Sequence, residues 1–287
     1  MRYIEPGRRL LKGNLHMHTT RSDGQRSPDG AIECYRGQGY DFLALTDHWK
    51  PSIHYEVGGL IALPGVELDF HAPNQALHLV VVGAPPEAFD DVDRTRPQLA
   101  IDRARAAGGR VILAHPAWSL NTPQMIASLK GLTAAEVYNT VSGAPWNADR
   151  ADSSTLLDVA AANGAPLNLV ASDDAHYYAG EQCRACIFVQ AERSEASILS
   201  AVDEGKYFSS TGARFTSIEF DGDELRVAFE PADEVIFLSN LPWVSKRCLT
   251  RPRQTSASYR IDRRQGETFV RCRIRDGRGM AWTNPFA

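Results

Sequence analysis

The sequence predicts an α/β protein whose parallel sheet closes into a barrel, with a small all-β unit behind it. Three observations carry that expectation. Short apolar runs recur, and each ends in a polar or charged residue, the pattern of buried parallel strands opening into loops. Stretches of helical periodicity separate several of these runs, so strand and helix alternate and the strands should run parallel. About seven such strands fall within roughly 210 residues, which suits a closed barrel better than an open sheet, and such barrels carry catalytic groups at the C-terminal ends of their strands. The barrel is expected over residues 1–214 and the β-rich unit over 215–287; a 287-residue chain suits one large domain with a small appendage.

Taken in order, the first distinctive stretch is Leu15-His16-Met17-His18-Thr19-Thr20-Arg21-Ser22-Asp23-Gly24. On an extended segment, residues two apart share a face, so His16 and His18 can point at one metal ion. Asp23 lies in a Gly-containing turn from which its carboxylate can swing back to the same place. Residues 27–38 read as a helix, with Ser27 as N-cap, Pro28 at the first position, and Gly37 and Gly39 at the end. Asp41 to His48 is a short strand closing on Thr46-Asp47-His48. Leu60 to Val66 ends in Glu67, and Leu77 to Gly83 holds His78 near its start. Val111 to Ala114 ends in His115-Pro116, Ala134 to Tyr138 in Asn139, and Leu167 to Ala171 in Ser172-Asp173-Asp174-Ala175-His176. Helical stretches at 94–107, 122–130 (with Asn121 as N-cap), 147–163 and 194–204 separate several of these strands.

Beyond about Phe215 the helical periodicity stops. Alternating runs at Ser217 to Phe220, Leu225 to Phe229, Glu234 to Leu238, Ser256 to Ile261 and Thr268 to Ile274, with Asp221-Gly222 and Asp276-Gly277 as turns, predict an antiparallel sandwich. Its basic residues Arg247, Arg251, Arg253, Arg260, Arg263 and Arg264 read as a solvated face.

Composition excludes several function classes. The formal net charge of −4 argues against nucleic-acid binding by bulk charge. No apolar run reaches the ~18 residues that span a bilayer, and Met1 to Lys12 holds no apolar core of signal-peptide length, so a cytoplasmic protein without a membrane partner is expected. Five cysteines at scattered spacing suit reduced thiols. Cys183-Arg-Ala-Cys186 leads into an apolar run and reads as packing. His54 and His71 read as surface histidines.

Of the eight histidines, His16, His18, His48, His78, His115 and His176 sit at or beside strand ends, in the company of Asp23, Asp47, Glu67 and Asp173. Histidine and carboxylate are ligands for zinc, manganese and iron, and the absence of thiols from the set points to a hydrolytic site rather than a structural zinc site. These ligands are too many for one ion, whereas two or three ions sharing a carboxylate would use them. Arg21 and Arg184 lie beside the ligand loops and could clamp a phosphate. Trp49, Trp118 and Trp146 could supply apolar walls.

The order His16-x-His18, Asp23-Gly24, Thr46-Asp47-His48, Gly65-Val66-Glu67, His78, Ala114-His115-Pro116 and Ser172-Asp173-Asp174-Ala175-His176 resembles the PHP (polymerase and histidinol phosphatase) family over roughly residues 12–214. The resemblance implies a distorted (β/α)7 TIM-like barrel and a trinuclear centre of Mn²⁺, Fe²⁺ or Zn²⁺. It assigns His16, His18, Glu67 and Asp173 to one ion. Glu67 would bridge to a second, held also by His78 and His115, and Asp23, His48 and His176 would hold a third. The reaction it implies is hydrolysis by a bridging water that loses its proton to become the nucleophile, with Asp173 able to shuttle a proton and with His48 and Asp173 both needed for turnover. The closing Ala281-Trp282-Thr283-Asn284-Pro285 resembles the ending of the CehA/McbA-like branch, which includes aryl-carbamate hydrolases. The long helical insertion of the nucleotide and RNA phosphatase branch is missing. The expected protein is therefore a metal-dependent hydrolase acting on a small, anionic substrate, a phosphoesterase first and an aryl-carbamate or ester hydrolase second. A non-catalytic metal-binding module is the alternative from another class.

Overall fold

The computed structural model describes residues 1–287, the side chain of Ala72 excepted. The chain runs β1 (Arg2–Ile4), β2 (Leu11–Asn14), α1 (Pro28–Gly37), β3 (Phe42–Ala44), β4 (Tyr55–Val57), β5 (Leu60–Leu63), β6 (Gly65–Ala72), β7 (Gln75–Val82), α2 (Pro97–Ala106), β8 (Arg110–Leu113), α3 (Pro123–Ser128), β9 (Ala134–Asn139), α4 (Ser154–Ala162), β10 (Asn168–Ser172), β11 (Cys186–Val189), α5 (Glu195–Asp203) and β12 (Tyr207–Ser210). Five strands follow: β13 (Phe215–Phe220), β14 (Glu224–Ser239), β15 (Cys248–Arg260), β16 (Val270–Asp276) and β17 (Gly279–Trp282).

Local chemistry explains the helix starts. Each of α1, α2 and α3 has proline in its first turn, where the missing N–H costs nothing. Ser27, Thr122 and Ser194 cap α1, α3 and α5 by accepting from Gly30, Met125 and Ser197 N–H. The cap of α3 is therefore Thr122 and not the expected Asn121, whose amide instead donates to the Ala76 carbonyl. The fourth helix is shorter than its sequence pattern, beginning at Ser154 rather than 147.

The strands form two sheets and do not close into the expected barrel. One sheet has the order β1-β13-β14-β16-β17-β12-β11-β2-β3-β5-β4, with β15 on β14; the other is β10-β9-β8-β7-β6. The physical reason lies between β6 and β7. Only residues 73 and 74 connect them, too few for a crossover helix, so they pair antiparallel as a hairpin, and β7 pairs antiparallel with β8. Isolated bridges Met17↔Ala175 and His48↔Glu67, both parallel, join the two sheets where the ligand loops emerge.

Three apolar layers hold this arrangement. Leu11, Phe42, Ile61 and Leu63 of the first sheet meet Val80, Ile112 and Val170 of the second. The outer face of the second sheet packs on Ile101, Ile126 and Leu157 of α2, α3 and α4. Around β13 to β16, Phe215, Phe229, Phe237 and Ile274 form a third cluster with Tyr35 of α1. The C-terminal strands are hydrogen-bonded to the first sheet, because β17 pairs antiparallel with β12. No helix is long and apolar enough to cross a membrane.

Candidate metal centre

His16, His18, His48, His115, Asp174 and His176 stand where strands open into loops, whereas Glu67 and His78 lie within strands. After β2, His16 and His18 lie against the segment after β10: His18 N–H donates to Ala175 O at 2.9 Å and Asp174 N–H to His16 O at 2.9 Å. Asp47 fastens the turn that follows. Its carboxylate accepts from Thr19 N–H (2.7 Å), Thr19 Oγ1 (2.8 Å) and Ser22 Oγ (2.8 Å), and so brings Asp23 back over His18. Asp47 thus anchors the loop of Asp23 rather than orienting His48. Gly24 allows that turn, since a Cβ there would lie 2.4 Å from the His18 backbone. Glu67 and His78 come from the β6–β7 hairpin, and His115 follows β8.

His115 (φ 27°) and Asp174 (φ 53°) occupy the left-handed region. Such strain costs about 1–3 kcal/mol per residue and persists only where surrounding contacts enforce it. The bond from His115 N–H to Glu136 Oε2 (2.7 Å) and the one from Asp174 N–H to His16 O (2.9 Å) are those contacts.

Three overlapping groups could each hold an ion: His16, His18, Glu67 and Asp174; Glu67, His78 and His115; and His18, Asp23, His48 and His176. In the first, His16 Nε2 lies 3.2 Å from Glu67 Oε2, 3.1 Å from Asp174 Oδ1 and 3.3 Å from His18 Nε2. His18 Nε2 lies 3.0 Å from Glu67 Oε2 and 3.1 Å from Asp174 Oδ1. Four ligands ~2.1 Å from one ion at tetrahedral angles stand ~3.4 Å apart, close to these edges. Glu67 turns Oε2 to this group and Oε1 to His78 Nδ1 (2.8 Å) and His115 Nε2 (3.4 Å), as a shared carboxylate would. The third group is looser and nearer solvent, with Asp23 Oδ2 3.5 Å from His176 Nε2 and 3.7 Å from His48 Nε2.

The first group demands positive charge. Glu136 stands 2.8 Å from His16 Nδ1, and a carboxylate can only accept, so the ring's proton sits on Nδ1. His18 Nδ1 likewise faces Asp23 Oδ1 at 3.3 Å. The two Nε2 atoms then face each other, and Asp174 Oδ1 between them is buried without a hydrogen-bond partner. Burial alone would lower the pKa of His16, yet Asp174, Glu67 and Glu136 outweigh it and hold the ring well above its ordinary value; His18 is raised in the same way by Asp174, Asp23 and Glu67. Burial alone would raise Asp174 and Glu67, yet the histidines outweigh it and hold both below the usual carboxylate range. A donor set of imidazoles and carboxylates with an orphaned oxygen at its centre fits a divalent cation, which would supply the charge that protons otherwise must.

Asp23, His48, Glu67, His78, His115, Asp174 and His176 line a cavity of about 170 Å³ together with Trp118, Val141, Ser142, Asn147 and Tyr177, and His16 and His18 lie buried beneath it. Trp118 stacks edge-on to His115, with ring centroids 4.9 Å apart. Among the described residues, no lysine or arginine lines this cavity. Trp49 packs instead on Phe70 and Trp146 on Arg184, both outside the cavity.

The structure corrects three sequence-based expectations. Asp174 takes the place expected for Asp173. Asp173 is buried beneath the site, and its carboxylate accepts from Cys183, Arg184 and Ala185 N–H, from the Tyr35 and Thr140 hydroxyls, and from the Asn14 amide. Burial pushes its carboxyl up to about 6 against those donors, and its oxygens are engaged by them rather than turned to the ligand groups. Arg21 does not reach the cavity, because its guanidinium donates to Pro51 O at 3.0 Å. Arg184 is turned away likewise, donating to Gly180 O and lying over the Trp146 ring. Two acidic residues escaped the sequence reading. Asp69 lies 3.2 Å from His48 Nδ1, and Glu136 holds His16. Glu136 carried a signal, since it is a carboxylate inside the apolar run of β9.

No protein-family model matches the chain, and no curated protein does. Among solved structures, a two-domain protein from Bacteroides vulgatus described as containing a predicted PHP-like metal-dependent phosphoesterase aligns over 96% of this chain and 95% of its own, with 16% identity and a TM-score of 0.53. The chain shares its fold with that protein. A putative metal-dependent phosphoesterase from Bifidobacterium adolescentis aligns over 60% of this chain and 89% of its own (18% identity, TM-score 0.41). An amidohydrolase from Chromobacterium violaceum with bound sulfate and no metal aligns over 59% and 89% (16% identity, TM-score 0.44).

Proposed function

We propose that this protein is a metal-dependent hydrolase of the PHP type that uses two to three divalent ions. One observation carries the reading. The facing Nε2 atoms of His16 and His18, with Glu67 and the orphaned Asp174 oxygen, form a buried four-ligand set with edges of 3.0–3.3 Å. The fold shared with the Bacteroides vulgatus protein is in keeping with it.

Bound ions would lower the pKa of a water and draw charge from the scissile group's oxygen. This chain's own residues do the rest. Glu67 and Asp174 keep the ligand set anionic, and Glu136 keeps His16 in the ligating tautomer. Trp118 and Val141 give the cavity an apolar lining, and Ser142 and Asn147 offer neutral hydrogen-bonding groups to a substrate. A small organic phosphate is the first substrate class, its charge met by the ions. A neutral carbamate or carboxylic ester of the CehA/McbA type is the second, favoured by the cavity's lack of Lys and Arg and by the Trp118 wall.

The test is hydrolysis of matched aryl substrates (a phosphate monoester, a phosphate diester and a carbamate) by Mn²⁺-reconstituted protein with an EDTA control. Chelator-sensitive turnover of a phosphate ester ahead of the carbamate is expected. Preference for the carbamate would transfer the reading to the second class, and turnover indifferent to EDTA would defeat both.

A further inference from the structure

We infer that Glu136 is a positioning residue of the metal centre: it fixes His16 in the tautomer that bares Nε2 and pins the backbone of His115, and through both it sets the centre's metal affinity. The inference rests on the metal-dependent reading above.

Glu136 sits in mid-strand on β9, 1% exposed, between the buried Ala135 and Val137. A carboxylate among such neighbours needs donors, and four converge on it. Oε1 accepts from His16 Nδ1 (2.8 Å) and from the Ser172 hydroxyl, while Oε2 accepts from His115 N–H (2.7 Å) and Asn139 Nδ2 (2.7 Å). No lysine or arginine pairs with it among the described residues. Its neighbours are therefore two candidate ligands and the polar groups that hold it still. Each of its oxygens serves a different ion group. Through Oε1 it faces the ring whose Nε2 meets Glu67 and Asp174. Through Oε2 it holds the left-handed backbone of His115, whose Nε2 faces Glu67 from the other side. Removing the negative charge would free Nδ1 to act as an acceptor and move the His16 proton to Nε2, the atom the ion needs. Outer carboxylates that orient ligating histidines commonly change metal affinity about 10–100-fold when altered.

The test is Glu136→Gln. Glutamine keeps the shape but turns an N–H toward one donor pair. Metal-free wild type and variant are titrated with Zn²⁺ against a competing chelator, and the His16 tautomer is read in the zinc-loaded wild type by long-range ¹H–¹⁵N NMR. Expected are about 10–100-fold weaker zinc binding in the variant and, in the wild type, a proton on Nδ1 with zinc on Nε2. A merely structural Glu136 would lower the melting temperature of the metal-free variant and leave zinc affinity unchanged; that result overturns the inference while the metal centre stands. Wild-type protein that takes up no zinc overturns the metal-dependent reading and the inference with it. Should the variant not fold, the wild-type tautomer decides: Nε2–H, or zinc on Nδ1, refutes the role of Glu136.

Discussion

Asp173 and Asp174 are neighbours with opposite surroundings. Asp174 turns an orphaned oxygen to two imidazoles, whereas Asp173 is wrapped by six donors from four segments of the chain. Asp174→Asn should remove bound metal and turnover from protein that still folds, and it should flatten the pH dependence of metal-free stability, because the carboxylate that holds His16 and His18 protonated is gone. Asp173→Asn should act on stability first. Either orientation of the new amide sets its N–H₂ against at least two donors, so about 3 kcal/mol or more of stability is lost, read by urea unfolding. Metal binding lost in Asp173→Asn at unchanged stability would return that residue to the ligand set. The sequence shows both carboxylates at the end of one strand. Which of them faces the cavity depends on the backbone turn at Asp174, which propensity does not specify.

The elements around the site depend on close approaches that only particular residues permit. Gly24 is one. A Cβ on it would strike the backbone of His18, so Gly24→Ala should push Asp23 outward and weaken binding of the outermost ion about tenfold or more. Metal content by mass spectrometry checks this: an unchanged stoichiometry at limiting metal would show the turn to be tolerant. The C-terminal Ala281-Trp282-Thr283-Asn284-Pro285 is another. Trp282 is fully buried and stacks on Tyr138 of β9, and Asn284 accepts from Leu169 N–H (2.8 Å) and donates to Gly205 O (3.1 Å). This ending therefore fastens β10, the strand that presents Asp174 and His176. Asn284→Ala leaves those backbone groups unpaired in the interior and should cost about 2–4 kcal/mol, measured by denaturant unfolding. A loss below about 0.5 kcal/mol would mean that water replaces the side chain.

At the scale of the molecule, charge in the site couples to folding. In metal-free protein, His16 and His18 have pKa values raised above the ordinary 6.5 by the facing carboxylates despite burial, so their contribution is fully present below that pH and fades as pH rises through the folded values. Asp23, Glu67 and Asp174 are depressed by the histidines despite burial, so their contribution is present above the ordinary carboxylate range and fades only as pH falls through the folded values. Metal-free protein should therefore melt at a lower temperature at pH 9 than at pH 6. Saturating Mn²⁺ or Zn²⁺ should remove that alkaline decline by replacing the protons. Melting curves of chelated and loaded protein at both pH values decide it, and parallel pH dependence in the two would show that no cation replaces the protons. The same scale holds the two sheets together. Arg271 of β16 is 2% exposed and pairs with Asp158 of α4 at 2.6 Å, tying the C-terminal strands to the helical layer.

Much of the molecule is legible in the one-dimensional pattern. The apolar runs that end in polar residues locate β3, β8, β9 and β10, and Ser27-Pro28 locates α1, because burial and capping act over a few neighbouring residues. The His, Asp and Glu residues at the run ends foretell a cation site for the same reason: strand ends are where side chains leave the core. What tertiary structure alone decided is the closure of the fold and the aim of individual groups. The two-residue link between β6 and β7 forces an antiparallel hairpin into a sheet that reads as parallel. The pairing of β17 with β12 joins the C-terminal strands to the first sheet. Asp174 replaces Asp173 in the ligand set, Arg21 and Arg184 turn outward, and Glu136 enters behind His16. Each of these depends on contacts between residues far apart in the chain, whose strength is set by distance and orientation in space rather than by the identity of sequence neighbours.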